Sequence, residues 1–322
     1  MKYNNQNIVR CGWRPTDDNP LERCLEIIWD IIDVCNYKCT YCSVGYWDEG
    51  KNKQSTFFKH KSARNVWRNI IDRLKLNTVP DFAVDLLGGE PTLHPDIIEI
   101  ISELNKNDKC KSIQLTSNMT KPVSFFEKLV GTDITLVPSI HFEQAPDNLL
   151  QKILCVNNLD IDMRPSVMMH PDKRFWEKMK QVLNTFIETD INFDVALLNP
   201  NDADNLDTDM TRVTKEQGYS EEFYVTFEKY LTVDLPNSTK IPIETRSEKA
   251  LVTNTYIYKN NITNFKGWNC TPKSWRIDAS GMIRNDCTFE TLNVTGSNFV
   301  KQVKCPLTKC TCKHRWNYEK FK

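Results

Sequence analysis

The chain has 322 residues, enough to bury a full core as one large α/β domain or as one domain with an appendage. Lys and Arg together number 42, and so do Asp and Glu, so no net field favours nucleic acid or an anionic membrane surface. No apolar run approaches the roughly 18 residues of a membrane span, and Met1-Lys2-Tyr3-Asn4-Asn5 is no apolar signal segment, so a cytoplasmic protein without membrane or nucleic-acid partners is expected.

In chain order, an N-terminal segment (1–24) precedes Leu25–Ile32, an Ile-rich run that reads as a strand. Val66, Trp67, Ile70, Ile71 and Leu74 recur at helical spacing. Phe82–Leu87 is a short apolar run that stops at Gly88-Gly89. Pro95 suits a first helical position, with Ile97, Ile98, Ile101 and Leu104 as the buried face behind it. Further strands are predicted at Ser112–Ser117, Ile134–Ile140, Ile161–Met169 and Phe193–Leu198, and further helices at Pro122–Leu129, Asn148–Cys155 and Phe175–Ile187. Strand–helix alternation of this kind predicts parallel βαβ units over 25–198. Six such units are too few for a closed eight-stranded barrel.

The alternation stops at 199–249. Asn199–Met210 is crowded with Asp and Asn and reads as a loop, Ser220–Leu231 as a helix, and Pro236–Glu248 as a connector. From 250 to 322 the pieces are short and β-prone, and a second module is expected there.

Chemistry is concentrated in the cysteines. Twelve in a chain without a secretion signal argue for metal or redox work, not disulfides. Cys35-Asn36-Tyr37-Lys38-Cys39-Thr40-Tyr41-Cys42 places three thiols in eight residues. Thiolates are the usual iron–sulfur ligands, and three of them grip three irons of a cubane while leaving the fourth without a local ligand. A structural zinc wants four ligands. The loop closely resembles the signature of the radical S-adenosylmethionine (radical SAM) superfamily, including the aromatic Tyr41 before the third Cys. The resemblance implies an open barrel of six (β/α) units, a partial TIM-like α/β fold, with a [4Fe–4S] cluster on Cys35, Cys39 and Cys42 and SAM on the remaining iron.

Gly88-Gly89-Glu90-Pro91 follows the predicted strand Val84–Leu87. Paired glycines allow close backbone approach, and the carboxyl ends of parallel strands are where such sheets bind ligands. In the radical SAM family this motif holds the methionine end of SAM. The resemblance implies that Gly88, Gly89 and the Glu90 carboxylate meet its amino group, an interaction that charge strengthens. Thr116-Ser117-Asn118 resembles the polar end of the family's third strand, although Met119 stands where a Gly commonly follows. Ser139 and His141, at the fourth strand end, are candidates for the ribose hydroxyls or the substrate. The backbone around Tyr41 is a candidate for adenine, because Arg164–His170 carries no clear match to the family's glycine-bearing fifth-strand motif. His94 and His170 read as polar loop residues.

Five of the cysteines lie in the tail: Cys270, Cys287, Cys305, Cys310 and Cys312, with Gly281 between the first two. This resembles the twitch and SPASM modules of radical SAM enzymes, where a small β-hairpin carries an auxiliary iron–sulfur cluster, although here the second Cys lies one residue further from the glycine. A Cys₄ zinc knot is the alternative. Five thiols suffice for one auxiliary [4Fe–4S] cluster and one spare. Cys11, Cys24, Cys110 and Cys155 read as core or surface thiols. The resemblance implies oxidation, crosslinking or epimerisation of a peptide or small-molecule substrate such as a sugar, with an external electron donor such as flavodoxin or ferredoxin. Outside the enzyme class, a zinc-stabilised binding protein has the same cysteines.

Overall fold

The structure is a computed structural model that describes residues 24–42, 65–198, 219–231, 240–244, 249–253, 266–270, 274–285, 303–304 and 320–321. Strand β1 (Leu25–Ile32) leads to the cysteine loop. It is followed by α1 (Val66–Leu74), β2 (Phe82–Gly88), α2 (Ile97–Asn105), β3 (Cys110–Ser117) and the short α3 (Val123–Phe126). Next come β4 (Thr135–Ile140), α4 (Leu149–Asn157), β5 (Asp162–Met163), β6 (Ser166–Met169), α5 (Trp176–Glu188), β7 (Asp194–Leu197) and α6 (Glu221–Leu231).

Strands β1, β2, β3, β4, β6 and β7 lie side by side in that order and pair in parallel, with β5 alongside β4. This is the expected α/β fold with six strand–helix steps, and among the described residues the sheet is open. Three differences from the sequence reading have local causes. The strand expected over Ile161–Met169 is split into β5 and β6 at Arg164-Pro165, because Pro165 has no N–H to give the ladder. The helix expected over Pro122–Leu129 is one α turn that tightens into a 3₁₀ turn at Glu127–Leu129. A strand, β8 (Lys240–Glu244), runs through the expected connector and pairs with β9 (Lys249–Thr253).

The apolar alternation of the strands sets the layers. Ile27 and Trp29, Val84 and Leu86, and Ile113 and Leu115 share one face and pack with Trp67, Ile70, Ile71 and Leu74 of α1 and Ile97, Ile100, Ile101 and Leu104 of α2. Burying each such side chain contributes about 1.5–3 kcal/mol, so this layer supplies the main driving force for the fold. The opposite face carries buried polar groups: Asp30, Asp85, Gln114, Ser139, Ser166 and Asp194. Several of them bond to each other or to a neighbour on the same face. Gln114 Nε2 and Thr116 Oγ1 both donate to Asp85 Oδ1, and Ser166 Oγ donates to Asp194.

The tail joins this sheet. After β10 (Asn269–Cys270), strand β11 (Ser274–Ile277) pairs in parallel with β1 on the side away from β2, and β12 (Ile283–Asn285) folds back on β11 as a hairpin. Arg276 Nε donates to Asp30 Oδ2 at 2.7 Å across the β11–β1 seam. In the hairpin turn Gly281 has φ +81°, and a Cβ there would lie 2.3 Å from Val66 Cγ1 of α1. The turn therefore needs glycine twice over, for its left-handed backbone and for its contact with the barrel's first helix. A second sheet contains β8, β9, β10, β13 (Val303–Lys304) and β14 (Lys320–Phe321). Cys287, Cys305, Cys310 and Cys312 lie outside the described residues, as does Cys11; the backbone of Cys270 sits in β10, paired with Val303 and Lys320.

Candidate functional site

The cysteine loop leaves the carboxyl end of β1 and folds over the strand ends. Tyr37, Cys39, Tyr41 and Leu198 form a small buried apolar cluster, with half-buried Cys35, Cys42, Met168 and Tyr219 against it. The Cys42 N–H donates to the Cys39 carbonyl at 3.1 Å, closing a turn that brings these two cysteines together. The Tyr37 N–H points at Cys35 Sγ, 3.4 Å away. Burial, reinforced by neighbouring negative groups, pushes the Cys35 thiol up to about 11 and the Cys39 thiol up to about 12. Without a counter-charge these cysteines stay protonated; a bound metal centre removes that penalty and holds them as thiolates.

The glycine motif is hydrogen-bonded directly to the run that leads to Cys35. Gly89 N–H donates to the Ile32 carbonyl at 2.9 Å, and Glu90 N–H donates to the Val34 carbonyl at 2.8 Å. A Cβ on Gly88 would lie 2.2 Å from the Ile32 oxygen, and one on Gly89 would lie 2.1 Å from the Val34 oxygen. The close approach these glycines permit is thus to the base of the cysteine loop itself.

Glu90 is buried, and its carboxylate binds the next strand end. Oε1 accepts from Thr92 N, Thr92 Oγ1 and Ser117 Oγ, and Oε2 accepts from Asn118 N at 2.7 Å. Burial raises its pKa, and these four donors oppose the rise. They also occupy about the full acceptor capacity of a carboxylate. Asn118 continues the chain of contacts: its side-chain amide donates to Asn36 Oδ1 at 2.8 Å and approaches Cys35 Sγ at 4.0 Å, while Asn36 donates to Thr120 Oγ1. Met119 adopts φ +59°. That left-handed backbone costs a non-glycine residue about 1–2 kcal/mol, which explains why a glycine is the usual occupant.

On the other flank, Tyr41 Oη and His141 Nδ1 lie 2.9 Å apart, and His141 Nε2 meets Ser139 Oγ at 2.9 Å. The Tyr41 and His141 rings stack with centroids 5.8 Å apart. Burial holds His141 down to about 4, so the imidazole is neutral at pH 7. Ser139 and His141 therefore stand beside the cysteine loop, bonded to each other and to Tyr41.

Two further residues stand at the site and carry no signal in the sequence alone, Glu143 and Tyr219. Glu143 accepts from the Thr40 backbone and hydroxyl and from His170 Nε2. Burial would raise its pKa, but the bonds from His170 and Thr40 outweigh that and hold it below the usual carboxylate range. Tyr219 Oη donates to the Met169 carbonyl and accepts from Leu198 N, tying the ends of β6 and β7 beside the loop. His94 is buried and accepts from the Asp96 N–H in the turn before α2.

The donor set fits a cubane better than a single ion. Among the described residues, no three His, Cys, Asp or Glu side chains converge closely enough for one metal ion. One zinc would need every sulfur about 2.3 Å from a common point. A cubane spreads three thiolates over three irons, which suits three cysteines distributed along one buried loop.

Comparison with known proteins gives the same reading. GTP 3′,8-cyclase of Actinobacillus pleuropneumoniae serotype 3 is 32% identical over 132 residues, which cover 38% of this chain and 37% of that protein. The enzyme of the same name from Klebsiella pneumoniae subsp. pneumoniae is 33% identical over 88 residues, covering 27% of this chain and 25% of that protein. The matched stretch thus spans between a quarter and little more than a third of these curated relatives. Among solved structures, Streptococcus suis SuiB bound to S-adenosylmethionine superimposes with TM-score 0.53 at 17% identity, covering 86% of this chain and 64% of that one. SuiB bound to the precursor peptide SuiA gives TM-score 0.52 at 18% identity, covering 81% and 58%. Likeness at this level of identity shows the shared fold. The family model described as the radical SAM superfamily, whose members use a [4Fe–4S] cluster and SAM, matches residues 29–205, more than half of the sequence. The chain belongs to the radical SAM superfamily.

Proposed function

We propose that Cys35, Cys39 and Cys42 hold the [4Fe–4S] cluster, that SAM lies against Gly88–Glu90 at the ends of β1 and β2, and that the enzyme abstracts a hydrogen atom from its substrate. The single observation that supports this most is the direct hydrogen bonding between the two motifs, Gly89 to Ile32 and Glu90 to Val34. It fixes the cluster loop and the SAM-binding turn at one spacing. When bound, the cluster supplies the electron that cleaves SAM to methionine and a 5′-deoxyadenosyl radical.

The residues then divide the remaining work. Glu90 gives its lone pairs to Thr92, Ser117 and Asn118, so its part is to hold the β2 and β3 ends together and to place a negative field near the SAM ammonium, with backbone carbonyls of the glycine turn as direct acceptors. Ser117 and Asn118 complete that wall. Tyr41, Ser139 and His141 form the opposite wall, where adenine and ribose rest. Neutral His141 has both nitrogens engaged, so it orients Tyr41 and Ser139 and does not move protons at neutral pH.

The finer reading is a radical SAM oxidoreductase or epimerase. Four of Cys270, Cys287, Cys305, Cys310 and Cys312 carry one auxiliary cluster in a twitch-like module, and an external flavodoxin- or ferredoxin-type protein is the electron donor. Peptide modification is supported by the shared fold with SuiB. Anaerobic reconstitution followed by iron analysis and 5′-deoxyadenosine measurement tests the whole reading. About eight irons per chain are expected for two cubanes. Cys39→Ala is expected to abolish 5′-deoxyadenosine formation. Iron near four would remove the auxiliary cluster, and normal cleavage by Cys39→Ala would refute the proposal.

A further inference from the structure

Two sides of the site hold the cysteine loop, and they do so differently. On the β2–β3 side the loop is bound through Asn36 and through the backbone before Cys35. On the β4–β6 side one carboxylate reaches it at Thr40, the residue after its second cysteine. Glu143 Oε2 accepts from Thr40 N at 2.7 Å and Oε1 accepts from Thr40 Oγ1 at 2.5 Å. Thr40 lies 103 residues earlier in the chain.

Glu143 is itself fixed from behind. It sits three residues past β4, in a turn closed by Gln144 N–H and Ala145 N–H donating to the His141 carbonyl at 3.0 and 2.8 Å. His170, one residue past β6, is buried and held on every side. Its backbone N–H points at Met179 Sδ, its Nδ1 accepts from Asp172 N at 3.1 Å, and its ring meets Phe175 at 4.7 Å and Tyr41 at 5.7 Å. Because Nδ1 accepts a backbone N–H, the ring proton lies on Nε2, which donates to Glu143 Oε1 at 3.1 Å. The two Glu143 oxygens are therefore aimed at Thr40 by a turn on one strand end and an imidazole on the next.

We infer that Glu143 is a positioning residue for the cluster. Oriented by His170, it clasps the Cys39–Cys42 turn through Thr40 and so sets where those two thiols stand over the ends of β4 and β6. The physical need is plain. Cys39 and Cys42 sit on a turn closed by one backbone hydrogen bond. A turn free to open would release the cluster one iron at a time. A charge-assisted clasp on Thr40, within that turn, resists this, as outer-shell partners do for metal ligands generally.

The inference rests on the cysteine loop being the cluster's holder, and its test has an arm that does not depend on that. In metal-free protein, hydrogen exchange of the Thr40 amide reads the clasp directly. Thr40 is itself exposed, which weakens the bond, so E143A should speed exchange at Thr40 by about fivefold to tenfold while amides in β1 and β2 stay unchanged. In reconstituted protein, loss of iron to a ferrous chelator should quicken by a similar factor in E143A and less in E143Q, which keeps one acceptor oxygen. T40A should speed iron loss by removing the hydroxyl bond, and the effect of E143A should shrink in the T40A background because the two share that bond. The EPR signal of the reduced, SAM-bound cluster should split into more than one species in E143A, an effect that lowered fold stability alone does not produce. If E143A fails to fold, T40A at its exposed position still tests the clasp through iron loss and EPR. Unchanged Thr40 exchange in E143A, or strictly additive effects of T40A and E143A on iron loss, would overturn it. Loss of the exchange effect would discard the clasp. Persistence of that effect with no cluster on Cys35, Cys39 and Cys42 would instead discard the proposed function.

Discussion

The backbone N–H of Glu90 donates to the carbonyl of Val34 at 2.8 Å, one residue before the first cysteine of the cysteine loop. Together with the Gly89–Ile32 bond it continues the β1–β2 ladder past the ends of the strands and into the site. The two functional motifs, some fifty residues apart in the chain, are thus one piece of sheet edge. Their spacing is set by the backbone before any side chain contributes.

The first prediction tests that continuity. In Gly89→Ala the new Cβ would lie 2.1 Å from the Val34 oxygen and 2.7 Å from the Cys35 nitrogen, both backbone atoms that cannot step aside. Overpacking typically costs about 1–3 kcal/mol, and here it acts directly on the cysteine loop. The metal-free protein should melt several degrees lower and the reconstituted protein should retain less iron. Gly131→Ala is the control. It adds the strain of a positive φ (+77°), which Gly89 does not have, but meets nothing within 4 Å, so it should lower the melting point and leave iron retention alone.

Glu90→Gln exchanges one acceptor oxygen for an NH₂ group. If the amide nitrogen takes the Oε2 place it confronts the Asn118 N–H, and in the other orientation it confronts the two Thr92 donors and Ser117. Either way at least one buried donor is left unmet, at a cost of about 1–3 kcal/mol. The expected result is a lower unfolding midpoint in metal-free protein together with weaker SAM binding. Weakened SAM binding with an unchanged midpoint would mean that the carboxylate touches SAM and does not brace the strand ends.

Much of this architecture could be read from the residues, because parallel strands and amphipathic helices carry strong periodicity. Val66–Leu74 buries most of the face its spacing predicts, and the cysteine and glycine motifs fall at strand ends as expected. In the next helix Ile97, Ile101 and Leu104 are buried as expected, but Ile100 takes the place of half-buried Ile98 and Pro95 lies before the N-cap Asp96. What escaped the sequence is contact between distant positions. Glu143 looks like any loop carboxylate until the fold brings it to Thr40, and His170 looks like any loop histidine until Asp172 fixes its tautomer. The pairing of β11 with β1 was equally hidden, since a four-residue strand carries no period that names its partner. Even the glycine pair was legible only in part: closeness was predictable, but the neighbour it serves is the cysteine loop.

Stability should fall with acid through buried histidine. His94 is buried and burial lowers its pKa to about 4, against about 6.5 in an unfolded chain. Above pH 6.5 neither state binds the proton and the group has no effect. Between about 6.5 and 4 the unfolded chain takes up a proton the native state refuses, so stability drops as pH falls, by up to about 1.4 kcal/mol per pH unit for such a group. His141, also held down to about 4, acts with the same sign. Urea unfolding of metal-free protein at pH 7 and pH 5 reads the slope. His94→Asn should flatten it, and a variant with the wild-type slope would show that His94 is not the group responsible.

The last prediction concerns how the tail is fastened to the barrel. Arg276 of β11 pairs with Asp30 of β1 at 2.7 Å, with side chains 34% and 11% exposed. The pair is the charged part of a seam that also has backbone pairing from Glu26–Ser274 to Trp29–Ile277 and buries Trp275, Ile277 and Ile283 in the core. Removing the guanidinium strands a mostly buried carboxylate, and partial exposure of Arg276 softens the loss, so Arg276→Ala should cost about 1–2 kcal/mol. Lys at this position keeps the charge but not the planar donor set, and should recover only part of it. Hydrogen exchange at the Trp275 and Arg276 amides should rise in Arg276→Ala while exchange in β3 and β4 does not. A double-mutant cycle with Asp30→Asn separates pair from seam. If Arg276→Ala costs the same in both backgrounds, the charges are uncoupled and the hairpin is held by its backbone pairing, by the burial of Trp275, Ile277 and Ile283, and by the fit of Gly281 against Val66.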